Sequence, residues 1–287
     1  MPPSNAAIGP LRHWIRNGIG TIALAKKATR NALSLNTLEV LNNRLQQFLD
    51  ESSVRVVILQ SDVDNVFSSG HDLREIQKLQ MQQHEEEENG NQLCGEKQNM
   101  AARGRLEQLF KLCSNTMQSI SMSDTPVIAK VDGIATAAGC QLVASCDLAY
   151  ASDRSIFATP GVNLGLFCST PAVALGRSVA SPKHAMEMLL TGRGITASEA
   201  EKMGLINRAV SVGALDGYVQ SVAENIASKS QSAIKHGKPL FYHQMELNLS
   251  QAYEVASRAM VDDILVQNQD CREGIDAFLS KRRPNWK

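Results

Sequence analysis

The chain has 287 residues, of which 43% are hydrophobic and 20% are charged, with 29 basic and 29 acidic side chains. This length suits one large domain, or one domain with an extension. The zero net charge does not support a nucleic-acid-binding surface, which needs an excess of positive charge. The sequence has no apolar run of about 18 residues, so we expect no membrane-spanning helix.

The N-terminal part of the sequence predicts a hairpin, a helix and a buried strand. Two extended runs within residues 13–24 flank Asn17-Gly18, which is a strong hairpin signal. Residues 34–50 have the periodicity of an amphipathic helix whose first residue, a serine, is a good N-cap. Residues 55–60 predict a strand. A turn of small residues follows at 67–71.

The composition changes to Gln, Glu, Asn and Met between residues 76 and 104, with four consecutive glutamates at 85–88. A run of like charges is typical of a solvated segment, so we predict a mobile insert at 76–104. Because the insert follows the first small-residue turn, it could alternatively be a lid that closes over a ligand. Apolar positions between 106 and 120 predict the next helix.

A second turn of small residues lies at 136–139, between a predicted strand at 127–131 and a predicted helix. Backbone N–H groups at such a turn can approach a ligand closely, and the start of a helix favours negative charge. Two strand-to-helix turns with exposed N–H groups suggest a pair of donors for one oxygen. The alternative is that the small residues only allow close packing.

The alternation of strand, helix and strand through residues 127–158 predicts an α/β fold with a parallel sheet. From about residue 182 the pattern is mostly helical, and residues 196–199 form a capping box. The six cysteines include no C-x-x-C pair, which favours reduced, buried thiols of an intracellular protein.

The two turns together resemble the crotonase, or enoyl-CoA hydratase/isomerase, superfamily. Two later segments, 185–210 and 277–286, resemble the same family in the same order. The resemblance implies a ββα spiral core over residues 12–205. It further implies a helical C-terminal region at 206–287 that forms a homotrimer or a pair of trimers, after a loose tail at 1–11. It also implies an acyl-CoA ligand, a role in fatty-acid metabolism and a mitochondrial location, with no metal and no other cofactor.

The resemblance places the oxyanion-binding amides, which polarise the thioester carbonyl, at His71 and Ala138. It also implies that cationic side chains bind the phosphates of CoA, because such groups suit phosphate oxygens. These are Lys26, Lys27 and Arg30 before the first helix, and Lys281 and Arg282 in the tail.

The sequence departs from the family at both positions where hydratases carry a catalytic glutamate, which here hold Gln141 and Gly161. Glutamine cannot accept a proton at neutral pH, and glycine has no side chain. Each positioned acid or base is worth roughly 10²–10⁴ in rate. We therefore expect an acyl-CoA-binding protein that does not hydrate enoyl-CoA.

Whether the chain is an enzyme stays open from sequence. One reading is a non-catalytic binding or regulatory subunit. The other is an isomerase, decarboxylase or thioesterase with an unidentified acid or base. The imidazole of His71 is one candidate for that group, and Cys168 or Ser169 could be a nucleophile. No base is placed beside Cys168 or Ser169 by sequence, so pocket lining is the simpler interpretation.

Overall fold

The computed structural model describes residues 6–88 and 92–286, with side chains described for 9–82 and 102–286. The strands are β1 (Ala6–Ile8), β2 (Leu11–Arg16), β3 (Ile19–Leu24), β4 (Val56–Ser61), β5 (Val66–Ser68), β6 (Val127–Val131), β7 (Ile134–Thr136), β8 (Leu148–Ser152), β9 (Ile156–Ala158), β10 (Ile195–Thr196) and β11 (Arg208–Val210). The helices are α1 (Leu35–Asp50), α2 (Leu73–Glu88), α3 (Gln92–Met122), α4 (Ala138–Ser145), α5 (Ser169–Ser178), α6 (Pro182–Thr191), α7 (Ala197–Met203), α8 (Val212–Ala227), α9 (Gln231–Met245), α10 (Leu249–Ala259) and α11 (Gln269–Leu279).

Two sheets form the centre of the molecule. The larger has the strand order β1-β2-β3-β4-β6-β8-β11, and the smaller has the order β10-β9-β7-β5. Pairings from β3 through β11 in the large sheet and from β5 through β9 in the small sheet are parallel. The chain repeatedly makes one strand in each sheet and then a helix, as in β4-β5-α2 and β6-β7-α4. This is the ββα spiral predicted from the sequence.

Local sequence signals place the first elements as predicted. Asn17 and Gly18 both have positive φ, 51° and 75°, which is the conformation of a type I′ hairpin turn. The hydroxyl of Ser34 accepts a hydrogen bond of 3.2 Å from the backbone N–H of Thr37 and caps α1. Residues 6–11, which we assigned to a loose tail, are instead ordered in part, because β1 pairs antiparallel with β2.

The main hydrophobic core includes apolar faces of α1, α3 and α4, for example Leu38, Leu109 and Leu142. A second cluster lies between the large sheet and α8. Strand β4 contributes to both, since Val57 and Leu59 belong to the main core while Val56 and Ile58 belong to the second cluster. Successive side chains of a strand point to opposite faces, so β4 is buried on both sides.

The segment at 76–104 has more helix than its composition indicates. α2 extends to Glu88, and α3 begins at Gln92, well before the helix predicted at 106–120. Residues 89–91 and the side chains of Glu85–Glu88 lie outside the described residues. The proposed mobility of this segment and its role as a lid remain predictions.

The C-terminal region is mostly helical, as predicted, but it also completes the large sheet. β11 pairs with β8 beyond the boundary that we placed at residue 205, and α8 covers the second hydrophobic cluster. The chain continues from α10 through a π-helical segment at Met260–Val266 before α11. No helix among the described residues is long and apolar enough to cross a membrane.

A buried ion pair attaches α9 to the core. The ammonium of Lys238 lies 2.8 Å from the carboxylate of Asp147, and the two side chains are only 9% and 14% exposed. Lys238 also donates to the backbone carbonyls of Ile120 and Thr125, at 2.7 and 2.8 Å. Asp147 accepts from the Tyr242 hydroxyl at 2.9 Å. These bonds connect α9 with the end of α3 and the start of β6.

Candidate active site

The two small-residue turns meet in space, as their proposed role requires. Gly70, in the first turn, has φ of 83°, and a Cβ there would come within 2.9 Å of the Ala137 Cβ and 3.2 Å of the Ala138 nitrogen. A Cβ at Gly139 would lie 2.5 Å from the carbonyl oxygen of Ser68. Both glycines are therefore needed for this approach, because any side chain would push the turns apart.

The backbone N–H of Ala138 is the first of helix α4. The preceding residue, Ala137, has φ of 49° and ψ of −119°, an unusual conformation for a residue with a Cβ. The first N–H groups of a helix have no partner within it. Within the described residues, the structure shows no hydrogen bond from the Ala138 N–H, so this donor is available at the positive end of α4.

The backbone N–H of His71 is also available. Leu33 forms an isolated parallel bridge with His71, and the Leu33 N–H donates to the Gly70 carbonyl at 2.7 Å. In such a bridge the N–H of His71 points away from Leu33. No hydrogen bond from this N–H occurs among the described residues. The two N–H groups proposed from the sequence are thus both unpaired, on turns that touch.

The imidazole of His71 is held in one orientation. Its Nδ1 lies 3.1 Å from the Leu33 carbonyl, and because a carbonyl can only accept, Nδ1 carries the proton. Nε2 is buried without a partner in the described structure. The ring packs edge-on against Phe110 of α3, with centroids 5.1 Å apart. Burial lowers the pKa of His71 below its usual value of 6.5, so the ring is neutral at pH 7.

We expect this buried imidazole to make the protein less stable in mild acid. A histidine whose pKa is lowered by folding binds fewer protons in the folded than in the unfolded state, so the free energy of unfolding falls as the pH drops below 6.5. Urea denaturation between pH 7 and pH 5 measures this slope. The slope should become shallower in His71→Asn, without vanishing, because the pKa of His13 is also lowered. An unchanged slope in the variant would contradict this assignment.

Gln141 lies one turn into α4 from Ala138 and is 4% exposed. Its Oε1 is 4.0 Å from the Sγ of Cys113, on α3. Cys113 is three residues after Phe110, so the two lie on neighbouring turns of one helix face. The His71 ring and the Gln141 amide therefore both contact the same part of α3, which forms a wall beside the two N–H groups.

Gly161 is buried, and Cys168 fills the space beside it. A Cβ on Gly161 would come 2.8 Å from the Cys168 Sγ and 3.0 Å from the Leu166 carbonyl oxygen. Burial raises the pKa of the Cys168 thiol, while the backbone N–H of Gly161 opposes this. A thiol with a raised pKa is a weak nucleophile at neutral pH, which favours pocket lining over nucleophilic catalysis. Ser169 Oγ donates to the Phe167 carbonyl at 3.3 Å.

The loop that carries Lys26, Lys27 and Arg30 lies directly beside the first turn. It contains a 3-10 turn at Lys27–Thr29, and the Ser69 N–H donates to the Arg30 carbonyl at 3.1 Å. Lys27 and Arg30 are exposed. Positive charge next to the two N–H groups suits an elongated ligand with phosphates at one end and a carbonyl at the other.

The tail cations are not joined to this loop by any hydrogen bond or ion pair of the described residues. Arg282 is instead paired within the tail to Glu273, at 2.6 Å, and to Asp276. The Trp286 indole donates to the Ser228 carbonyl at 3.0 Å, so the tail folds back on its own chain. Lys281 is exposed. The phosphate roles of Lys281 and Arg282 remain predictions, and Arg282 would have to exchange partners.

A groove of 570 Å³ lies elsewhere, between α8 and the outer face of the large sheet, lined in part by Trp14, Lys130 and Asp216. None of the predicted site residues borders it. The two turns therefore remain the candidate active site.

Comparison with known proteins identifies the family. The family model described as enoyl-CoA hydratase/isomerase matches residues 14–102 and 94–287. The chain belongs to the enoyl-CoA hydratase/isomerase family. It is 45% identical over 271 residues to the rat mitochondrial enoyl-CoA hydratase domain-containing protein 3, covering 94% of this chain and 82% of the relative.

Solved structures of this crotonase-like family have the same fold. The human enoyl Coenzyme A hydratase domain-containing protein 3 superposes with a TM-score of 0.84 at 42% identity, covering 97% of this chain and 100% of that one. An enoyl-CoA hydratase from Mycobacterium smegmatis gives 0.83 at 38% identity, covering 97% and 99%. The fold and family predicted from the sequence are confirmed.

Two features of the site were missed by the sequence analysis. Asn31 is fully buried next to the first turn and bonds to three segments. Cys168 occupies the space over Gly161. The positive-φ requirement at Asn31 could have been suspected from the Arg-Asn pair before a predicted helix, but the contact between Cys168 and Gly161 depends on tertiary packing alone.

Proposed function

We propose that this chain binds a CoA thioester, with its carbonyl oxygen between the N–H groups of His71 and Ala138, and that it does not hydrate enoyl-CoA. The observation that carries the proposal is the contact of the two turns at Gly70, which brings two unpaired N–H groups together. Neutral donors arranged in this way stabilise negative charge on a carbonyl oxygen.

The lack of a carboxyl group at two positions of the sequence supports the second half of the proposal. Gln141 and Gly161 occupy the positions of the family's hydratase glutamates, and the nearby Glu75 is engaged by the backbone N–H of Leu35 at 3.0 Å. We propose a binding or regulatory role in fatty-acid metabolism, and a mitochondrial location agrees with the name of the similar rat protein. The neutral His71 imidazole keeps open the second candidate, an isomerase, decarboxylase or thioesterase that uses Nε2 as a base.

Calorimetric titration with acetyl-CoA and with free CoA tests the binding. Two hydrogen bonds to the carbonyl, each worth about 0.5–1.5 kcal/mol, should make the thioester bind roughly tenfold more tightly. Gly70→Ala should abolish this difference, because its methyl group would crowd the Ala138 N–H. Gly217→Ala is the control, since a Cβ there meets nothing within 4 Å. Equal affinities of the wild type for both ligands would contradict the proposal.

We further propose that the protein forms a homotrimer or a pair of trimers. Its C-terminal helices expose large apolar side chains, with Phe278 82% and Leu249 75% exposed. Exposed apolar area of this kind marks an association surface. Light scattering at micromolar concentration should give a mass of three or six chains, and Phe278→Glu with Leu249→Glu should reduce it. A monomeric wild type would contradict the prediction.

A further inference from the structure

A continuous series of hydrogen bonds joins the cationic loop to the first oxyanion turn. Residues 29–33 run alongside residues 67–71. The bonds are Asn31 Nδ2 to the Phe67 carbonyl (3.0 Å), Ser68 Oγ to the Asn31 carbonyl (2.8 Å), Ser69 N–H to the Arg30 carbonyl (3.1 Å), Ser69 Oγ to the Thr29 carbonyl (3.3 Å), Leu33 N–H to the Gly70 carbonyl (2.7 Å) and His71 Nδ1 to the Leu33 carbonyl (3.1 Å). The loop and the turn therefore behave as one unit.

Asn31 is the centre of this series. Its side chain is fully buried. Oδ1 accepts from the Lys26 N–H at 2.8 Å and closes the cationic loop on itself. Nδ2 donates outward, to the Phe67 carbonyl and to the Ser61 hydroxyl at 2.8 Å. One amide group thus shapes the loop with its oxygen and attaches the loop to the turn with its nitrogen.

The backbone at this point is in a conformation that needs such support. Arg30 and Asn31 both have left-handed φ, 53° and 54°. Asparagine adopts this conformation readily, whereas arginine adopts it at a cost. The cost at Arg30 must be offset by the bonds that the loop makes. The bonds of Asn31 hold the loop in place and, through Phe67, also fix the segment that leads to the His71 N–H.

We propose that Asn31 is a positioning residue that couples the two ends of the ligand site. An anionic nucleotide that binds the cationic loop favours, through Asn31, the arrangement of the turn that binds a carbonyl oxygen at the His71 N–H. A carbonyl oxygen bound at the turn favours, in the same way, the arrangement of the loop that binds the nucleotide. The inference rests on the proposed binding of a CoA thioester. It predicts that the link can be broken while both ends of the site persist.

Asn31→Asp separates the two functions of the side chain. Ionised aspartate keeps an oxygen to accept from the Lys26 N–H, but it places a second oxygen against the Phe67 carbonyl, where no hydrogen bond can form. Because burial raises the pKa of a carboxyl group, the readouts are taken at about pH 8–9, which favours the ionised form. The cationic loop should stay closed while its side-chain bond to the Phe67 carbonyl is lost and its other bonds to the turn remain. Ser68→Ala is a second variant, which removes the hydroxyl that donates to the Asn31 carbonyl and accepts from the Gly70 N–H, and it leaves the Asn31 side chain intact.

The readouts are the ¹³C chemical shift of acetyl-CoA labelled at its carbonyl and the affinity for adenosine 3′,5′-bisphosphate, which carries only the nucleotide end. In the wild type, the carbonyl signal should move downfield on binding. In Asn31→Asp the movement should fall by at least about half, while the nucleotide affinity changes by less than about threefold. Ser68→Ala should also reduce the carbonyl movement, but by less, and should change the nucleotide affinity by less than about threefold. Asn42→Ala, which removes a half-buried asparagine that accepts a hydrogen bond from Thr116, is the control.

Three results would overturn the coupling. A full downfield shift in Asn31→Asp would show that the link is not needed. Loss of nucleotide affinity in proportion to the carbonyl shift, with a lowered melting temperature and the same pattern in Ser68→Ala, would show that Asn31 only maintains the fold. If the wild type itself shows no carbonyl shift, then the proposed function fails and the coupling fails with it. The first two outcomes leave the proposed function intact.

Discussion

Lys238→Met is expected to lower the free energy of unfolding by about 3–5 kcal/mol at neutral pH, the cost of leaving a buried charge unpaired. Methionine removes the ammonium group that lies 2.8 Å from Asp147. The carboxylate would then be buried with the hydrogen bonds from Tyr242 and the Val127 N–H but no opposite charge. The carbonyls of Ile120 and Thr125 would also lose a donor.

Urea denaturation measures this loss, and Lys235→Met is a matched control on the same helix. Lys235 lies 3.7 Å from Asp124, but both side chains are more than a third exposed, and an exposed pair contributes less than about 1 kcal/mol. Burial already raises the Asp147 pKa against the opposing effect of Lys238, so the pKa would rise further once Lys238 is gone and the folded state would bind more protons. The deficit of Lys238→Met should therefore shrink as the pH falls. Similar small losses in both variants would contradict the role assigned to this pair.

Restoring two glutamates is expected to increase the hydration of crotonyl-CoA. The wild type should show only trace activity, because neither Gln141 nor Gly161 can transfer a proton. Gln141→Glu with Gly161→Glu restores both carboxyl groups in sequence position. Each positioned acid or base contributes roughly 10²–10⁴ in rate, and more activity is expected from the pair than from either single change.

The structure adds a third substitution to this design. A side chain at Gly161 would come 2.8 Å from the Cys168 Sγ, so Cys168→Ala should be combined with the two glutamates. We expect the triple variant to exceed the double variant, although by less than the full factors, because catalytic groups must be held within about 0.5 Å of the productive geometry. Cys168→Ala alone should show no more hydratase activity than the wild type. Robust hydration by the wild type would show that other residues carry the chemistry.

Parts of the fold that follow from short-range patterns could be predicted from the sequence. The strand at Val127–Val131 and the capping box of α7, in which Thr196 and Glu199 bond reciprocally, depend on neighbouring residues. The first part of α3 could not be predicted, because its polar composition resembles a solvated segment while its helical backbone continues a helix that packs on the core further along. Tertiary packing overrides local composition in such a case.

Part of the candidate site could also be predicted from the sequence, and part could not. The two small-residue turns suggested a pair of N–H donors for one oxygen. The resemblance to the family then assigned these donors to His71 and Ala138. The pairing of Arg282 with Glu273 and Asp276 could not be read from the sequence. The crowding of Gly161 by Cys168 could not be read from the sequence either, because it depends on the path of the short loop between the two residues.

The most direct test of the central claim is a crystal structure of the wild-type protein with a bound acyl-CoA. We predict that the thioester oxygen lies within about 3.2 Å of both the His71 and the Ala138 backbone nitrogens, with no carboxylate within reach of the acyl chain. A thioester oxygen more than about 3.5 Å from both nitrogens is beyond hydrogen-bond distance and would contradict the account.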